Sequence, residues 1–222
     1  MTSHNLRIAR IVSPLFEENA YLVAREGRDD CLVIDPGLDP DSILEHLDRQ
    51  GLVPAAVLNT HGHSDHIAGN AALKTRWPDC PLLIGAAEAE KLTDPSLNLS
   101  AAFGLPLQSP AADRTVVDGE TFEVAGITVK VVDIPGHSRG HVVYLVDGTD
   151  PPNVFVGDVI FAGSIGRTDF PDGDLETLLD GIRRKLFTLP DETVLYPGHG
   201  PKTTVGNEKD SNPFVGRRAG RP

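Results

Sequence analysis

The chain has 222 residues, 40% of them hydrophobic, which suits one large or two small globular domains and excludes a disordered chain. A formal net charge of −12 repels phosphate backbones and anionic lipid, so nucleic acid and membrane are excluded as expected partners of a small-molecule protein. No basic-then-apolar leader opens the sequence and no apolar run reaches about 18 residues, so the expected location is the cytoplasm.

In chain order, the first third alternates strand and helix. Leu6–Val12, Ala20–Ala24 and Cys31–Ile34 are short runs rich in β-branched residues and read as strands. Asp35-Pro36-Gly37 turns the chain, and Asp39-Pro40-Asp41 opens a helix with proline in its first turn. Ile43, Leu44 and Leu47 give this helix an apolar face, and Gly51 stops it. Ala55–Leu58 is a fourth strand, Ile67–Trp77 a helix stopped by Pro78, and Pro81–Ile84 a fifth strand. Residues 93–113 show no period, yet Leu97, Leu99, Phe103, Leu105 and Leu107 are too apolar for a linker. The segment reads as a loop anchored to the core or as a rim over an active site. From Thr115 the pattern is β again, in Phe122–Val124, Ile127–Asp133, Val142–Val146 and Val154–Val156. Asp174 caps a helix with Leu175, Leu178, Leu179, Ile182 and Leu186 at helical spacing, and Thr193–Tyr196 is the last strand. Residues 215–222, with Arg217, Arg218 and Arg221, read as a flexible tail. Cys31 and Cys80 sit in no CxxC and read as buried thiols. The order suggests one α/β domain of two similar halves, each a sheet with helices outside.

The most informative stretch is Thr60-His61-Gly62-His63-Ser64-Asp65-His66, directly after the fourth strand. It holds three of the chain's eight histidines. Imidazole nitrogen and carboxylate oxygen are the usual donors to zinc and similar ions. Side chains two apart in extended backbone point the same way, so His61 and His63 suit one ion. Asp65 and His66 point elsewhere and suit a second; the alternative for Asp65 is to cap the helix that follows. His137, Asp158 and His199 each follow a strand beside a glycine, where α/β proteins place ligating groups. Taken singly each has a plain reading as a loop residue, and the repetition at strand ends argues for a shared site.

These motifs, HxHxDH and then PGH, GD and PGH in that order, resemble the metallo-β-lactamase superfamily over nearly the whole chain, from about Ile8 to Phe214. The resemblance implies a four-layer αββα sandwich with metals at one edge of its two sheets. It implies that His61, His63 and His137 bind one divalent ion, that Asp65, His66 and His199 bind a second, and that Asp158 bridges them. Asp65 and Asp158 would then also be catalytic, around a shared water. Zinc is the first expectation for both ions, with iron or manganese next. Val33-Ile34-Asp35-Pro36-Gly37 looks like the family's early aspartate motif, which implies that Asp35 supports the ligands from behind.

Within the superfamily, lactam-hydrolysing enzymes usually carry cysteine in place of Asp158 and lack a histidine ligand at His66. The flavodiiron branch has glutamate in place of His63, and nucleic-acid-processing branches are longer and more basic. Ala162–Phe170, Tyr196–Pro201 and Asn212-Pro213-Phe214 are most similar to the glyoxalase II-like hydrolases, in their short bacterial, hydroxyacylglutathione hydrolase-like form. That implies cleavage of an S-lactoylglutathione-like thioester by metal-bound hydroxide. Two departures bear on the thiol. The sequence ends about where the helical domain of longer members begins, and two tyrosines of their glutathione pocket are missing near Asp169 and Pro201. Arg167 keeps a cation there, which implies a partner for a substrate carboxylate or else a salt bridge with Asp169 or Asp172. The run Gly166–Phe170 also resembles persulfide dioxygenases, which would hold one iron through His61, His137 and Asp158. A non-enzymatic, metal-stabilised binding module is a third reading, disfavoured by a ligand set without cysteine.

Overall fold

The computed structural model describes residues 5–146, 151–217 and 219. Strands β1 (Leu6–Val12), β2 (Asn19–Arg25), β3 (Asp30–Ile34), β4 (Val53–Asn59), β5 (Leu82–Gly85) and β6 (Arg114–Val116) form one sheet in that spatial order. The pairs from β1 to β3 are antiparallel, and those from β3 to β6 are parallel. The second half supplies β7 (Thr121–Val124), β8 (Ile127–Asp133), β9 (Val142–Val146), β10 (Asn153–Gly157), a hairpin of β11 (Ile160–Phe161) and β12 (Ser164–Ile165), β13 (Val194–Pro197) and β14 (Thr203–Thr204). Apart from the hairpin they build a second six-stranded sheet, in the order β14-β13-β10-β9-β8-β7.

Alternation along the strands explains the layering. In β2, Tyr21 and Val23 point into the core shared by the two sheets, where they meet Val129, Val131, Tyr144 and Phe155 of the other sheet. Ala20, Leu22 and Ala24 point the opposite way, toward the helices α1 (Pro40–Gln50) and α3 (Asn70–Arg76). The outer face of the second sheet is covered in the same manner by Leu178, Ile182 and Leu186, from α4 (Leu175–Gly181) and the π turn that continues it. Because both faces of these strands are buried, they read as unbroken apolar runs. The result is the expected αββα sandwich.

Local chemistry sets the helix ends. Asp39 accepts a hydrogen bond from the Ser42 N–H at 3.2 Å, Pro40 occupies the first turn, and Gly51 closes α1 at φ 64. The helix expected at 67–77 is instead two pieces, α2 (Ser64–Ile67) and α3, broken at Ala68-Gly69. The physical reason is the neighbouring turn. The Gly69 N–H donates to the Pro36 carbonyl at 2.7 Å, and a Cβ on Gly69 would lie 2.9 Å from that oxygen. The β11–β12 hairpin, β14 and α5 (Val205–Ser211) are elements too short for periodicity to show. Val215, grouped with the tail above, is only 3% exposed and packs in the outer core of the second sheet. Residues 218 and 220–222 lie outside the described residues. Cys31 and Cys80 are buried free thiols, and burial pushes them up to about 12 and about 11. Among the described residues no helix is long and apolar enough to cross a membrane.

Candidate metal centre

Four loops at the carboxyl ends of β4, β8, β10 and β13 meet at one edge of the sandwich. His61 and His63 follow β4, Asp65 and His66 lie on α2, His137 follows β8, Asp158 follows β10 and His199 follows β13. Their ligand atoms form three overlapping groups: His61, His63 and His137; His61, His66 and Asp158; and Asp65, His66 and His199. Within each group the atoms lie within 4.8 Å of one another. All the residues singled out as ligands from the sequence are thus brought together.

Glycine at two of the motif positions has a steric cause. A Cβ on Gly198 would sit 2.3 Å from Asp158 Oδ1 and 2.5 Å from His66 Cε1. Gly157 has φ +47, and a Cβ there would meet Thr60 Oγ1 at 2.3 Å. The chain can approach the carboxylate and imidazoles this closely only without side chains.

The contacts behind the imidazoles fix which nitrogen faces inward. His137 Nδ1 donates to the Arg167 carbonyl at 2.8 Å, and His199 Nδ1 donates to the Phe16 carbonyl at 3.0 Å. His66 Nδ1 lies 3.2 Å from Asp35 Oδ2. Asp35, at φ 47, also accepts from the Thr60 N–H and hydroxyl, both at 2.7 Å. With its proton spent on Asp35, the Thr60 hydroxyl accepts from His61 Nδ1 at 3.1 Å. Asp35 therefore sits behind two of the converging imidazoles, His66 directly and His61 through Thr60. The Nε2 atoms of His61, His66, His137 and His199 are left aimed at the centre, as lone pairs in the neutral form of each ring.

Those lone pairs are poorly served by the protein alone. His61 Nε2 and His137 Nε2 each lie 3.0 Å from His63 Nδ1, which has at most one proton for the two of them. His66 Nε2 and Asp158 Oδ1 are buried and face each other at 3.4 Å without a well-formed hydrogen bond. Imidazoles and carboxylates converging with too few good hydrogen bonds among them are what a cation site requires. The His/Asp donor set fits divalent metal ions.

Electrostatics divide the cluster. Burial and neighbouring imidazoles hold His61 far below its ordinary pKa, and burial with His137 and Lys91 holds His63 at about 3. Burial would also depress His66, but Asp158 and Asp65 outweigh it and push His66 well up. His199 is raised as well, against burial, by its bond to Asp65 and the charge of Asp158. Asp158 is held far below the carboxylate range because His66, His137 and His199 overcome its desolvation.

Several residues of the site were missed in the sequence. His141 is fully buried, stacks on His61 with ring centres 4.7 Å apart, and accepts the Asp158 N–H at 3.1 Å through Nε2. Its signal was present, since Gly140-His141 repeats the Gly-His pair of the other site loops. Glu88 and Lys91 clamp the loops from below. Glu88 accepts from the N–H groups of Gly62 (2.9 Å) and Gly140 (2.7 Å) and from the Ser138 hydroxyl (2.6 Å). Lys91 lies 3.2 Å from Glu88 and also reaches Asp172. Glu18, fully buried, fills the space left by Gly37, and burial pushes its carboxyl well up. Nothing in periodicity marks these three.

The centre opens into a cavity of about 430 Å³ whose wall includes Phe16, Leu99, Phe103, Phe161, Ile165 and Phe170. Asn98, Leu99 and Phe103 of the 93–113 segment line it, as does Arg167. The Arg167 guanidinium forms two 2.7 Å bonds to Asp169 and lies 4.1 Å over the Phe170 ring. Of the two salt bridges weighed for it, the one with Asp169 is present, while Asp172 pairs with Lys91.

The family model described as the metallo-beta-lactamase superfamily matches residues 14–199. A probable metallo-hydrolase, YqgX of Bacillus subtilis, is 38% identical over 92% of this chain and 94% of its own length. The hydroxyacylglutathione hydrolase GloC of Haemophilus influenzae is 35% identical over 92% of this chain and 95% of its own. Among solved structures, the BLEG-1 B3 metallo-beta-lactamase is 35% identical, with a TM-score of 0.89 over 94% of this chain and 99% of its own. TTHA1623 in a di-iron-bound form is 35% identical, with a TM-score of 0.81 over 93% of this chain and 100% of its own. With a family model matching most of the chain and relatives above 30% identity over nine-tenths of it, the chain belongs to the metallo-beta-lactamase superfamily.

Proposed function

We propose that the protein is a cytoplasmic thioester hydrolase with a two-ion centre. His61, His63 and His137 would hold one ion, Asp65, His66 and His199 would hold the other, and Asp158, between the two trios, would contribute to both. The observation that carries this reading is the convergence of imidazole nitrogens and carboxylate oxygens, several of them buried without a well-formed hydrogen bond, in three overlapping groups of three. Two divalent ions, when bound, supply Lewis acidity and lower the pKa of water enough to give a nucleophile at neutral pH. Zinc suits the donors best, and the di-iron form of the similar TTHA1623 supports iron as the next candidate.

The chain's own groups do the rest. Asp35, Thr60 and the carbonyls of Phe16 and Arg167 hold the imidazole tautomers. Asp158 stays ionised and offers an oxygen to each side, with Oδ1 3.4 Å from His66 and Oδ2 3.5 Å from His137. Asp65, whose Oδ2 is 3.4 Å from His199, is placed to take the proton of the attacking water. A thiolate leaves readily, so no strong general acid is needed. The likeness to a hydroxyacylglutathione hydrolase supports a thioester substrate, with S-lactoylglutathione as the reference compound.

Elemental analysis of the purified protein beside thioester hydrolysis, read as free thiol, tests this. The expected result is about two ions per chain and metal-dependent thiol release. One iron per chain, with fast oxygen uptake on glutathione persulfide and no thioester cleavage, would replace it with the dioxygenase reading. The likeness to BLEG-1 favours a second reading, cleavage of a β-lactam amide at the same centre, which a chromogenic cephalosporin in the same panel decides.

A further inference from the structure

The wall of the cavity is a poor match for a hydroxy acid on a tripeptide. Phe16 and Phe103 meet at its mouth with ring centres 5.8 Å apart, and both are more than half exposed, at 51% and 58%. Phe161 presents its ring to His199 and Phe170 to His63. Two of the apolar lining residues, Phe16 (φ 66) and Leu99 (φ 69), have left-handed backbone, which bulky side chains rarely adopt. Strain of that kind at a cavity wall points to a function for the side chains it places.

Of the polar side chains in the lining outside the metal centre, Asn98 and Arg167 are already committed, which leaves the Ser64 hydroxyl. Asn98 donates to the Lys91 and Leu107 carbonyls at 3.0 Å and accepts from the Ser100 N–H at 3.1 Å. Arg167, the one Lys or Arg among the described residues of the lining, is paired with Asp169. An exposed apolar surface beside a catalytic centre is where an apolar substrate group gains most by leaving water.

We propose that this cavity is an acyl subsite and that the preferred substrates are thioesters of apolar acyl groups, an aliphatic chain of about six carbons or an aryl group. Biological carrier thiols are peptidic or pantetheine-like and polar, so the apolar part of a thioester is its acyl part. This rests on the hydrolase reading and specifies its substrate. The reaction is balanced by water alone: a C–O bond forms, the C–S bond breaks, and a carboxylate, a thiol and one proton are released. The 93–113 segment, through Leu99 and Phe103, is the rim that grips the chain.

The test holds the thiol constant as N-acetylcysteamine and varies the acyl group through acetyl, lactoyl, hexanoyl and phenylacetyl. On the metal-loaded protein, kcat/KM should be at least about tenfold higher for hexanoyl and phenylacetyl than for acetyl or lactoyl, mostly through KM. Phe103→Ala and, separately, Phe161→Leu should each flatten the series at unchanged metal content. Calorimetry with non-hydrolysable ketone isosteres of the same series, on loaded and metal-free protein, should show a heat-capacity change that grows more negative with chain length. A flat series, or a preference for lactoyl, with a flat heat-capacity trend overturns the proposal while leaving the hydrolase reading intact. Length-dependent isostere binding without cleavage of any thioester supports the subsite and removes the hydrolase.

Discussion

The two trios of the centre use similar donors in opposite electrostatic settings. His61, His63 and His137 are buried, and His61 and His63 are held neutral by burial and by neighbouring imidazoles, with Lys91 adding to the effect on His63. The Glu88–Lys91 clamp fixes the loops that carry all three. Asp65, His66 and His199 instead share acidic surroundings that raise both imidazoles, and the side chains of Asp65 and His199 are 21% and 25% exposed. The difference teaches how each half takes a cation. In the first trio His61 and His63 offer lone pairs with no proton to lose, whereas in the second His66 and His199 hold protons that an ion must displace.

Asp158 is where the comparison breaks most severely, since it contacts His66, His137 and His199. Asp158→Ala should remove the shared oxygen donor and the charge that balances both trios. Several kcal/mol of lost electrostatic stabilisation corresponds to a fall in turnover of about three orders of magnitude. Metal content should drop to one ion or fewer, measured by elemental analysis after desalting. Near-normal rate and content would mean that the trios are independent.

The next largest effect separates the first trio from its support. His141→Phe keeps a ring against His61 but leaves the Asp158 N–H without its acceptor. Loss of such a supporting group typically costs about 10- to 100-fold in metal affinity. Competition with a chromogenic chelator should place that loss on the tighter-bound ion. An unchanged titration would make His141 a packing residue only.

How much of this was legible beforehand follows the same division. The converging histidines and aspartates could be read because they sit at or just after strand ends in short motifs, and apolar runs announced the strands of both sheets. What supports them from behind could not be read. Glu88 and Lys91 lie on a 3-10 turn with no period, and their partners are 26 to 81 residues away. The split between α2 and α3 was hidden because the Pro36 carbonyl that interrupts the helix comes from another turn. Local pattern reports on a residue's own element, and tertiary hydrogen bonds report on someone else's.

Acidification sharpens the comparison with a smaller effect. The folded-state pKa values of His66 and His199 are raised, so in the metal-free fold they keep their protons into the neutral range. An ion entering the second trio must release them, and its affinity falls as pH drops below those values. His61 and His63 are held well below their ordinary value, His63 at about 3, so these two ligands are indifferent over the same range. Dialysis from pH 8 to pH 5.5 should therefore remove one ion several-fold more readily than the other. Spectroscopy of a cobalt-substituted sample would assign the ion that stays to the three-imidazole side. Loss of both ions in parallel would show that the two halves titrate as one unit.

Arg167 tests the rim on the first-trio side and should give the smallest effect. Its carbonyl holds His137, but that bond belongs to the backbone and survives in Arg167→Ala. The guanidinium itself pairs with Asp169, pulling that carboxyl down to about 2, and both side chains are more than half exposed. Exposed pairs of this kind contribute little, so kcat/KM should change by less than about threefold, equally for anionic and neutral thioesters. A rise in KM of about tenfold confined to anionic substrates would show that the guanidinium leaves Asp169 for a substrate carboxylate. The first-trio side would then recognise a charged thiol carrier while the aromatic side takes the acyl group, and the asymmetry of the two trios would extend from proton binding to substrate orientation.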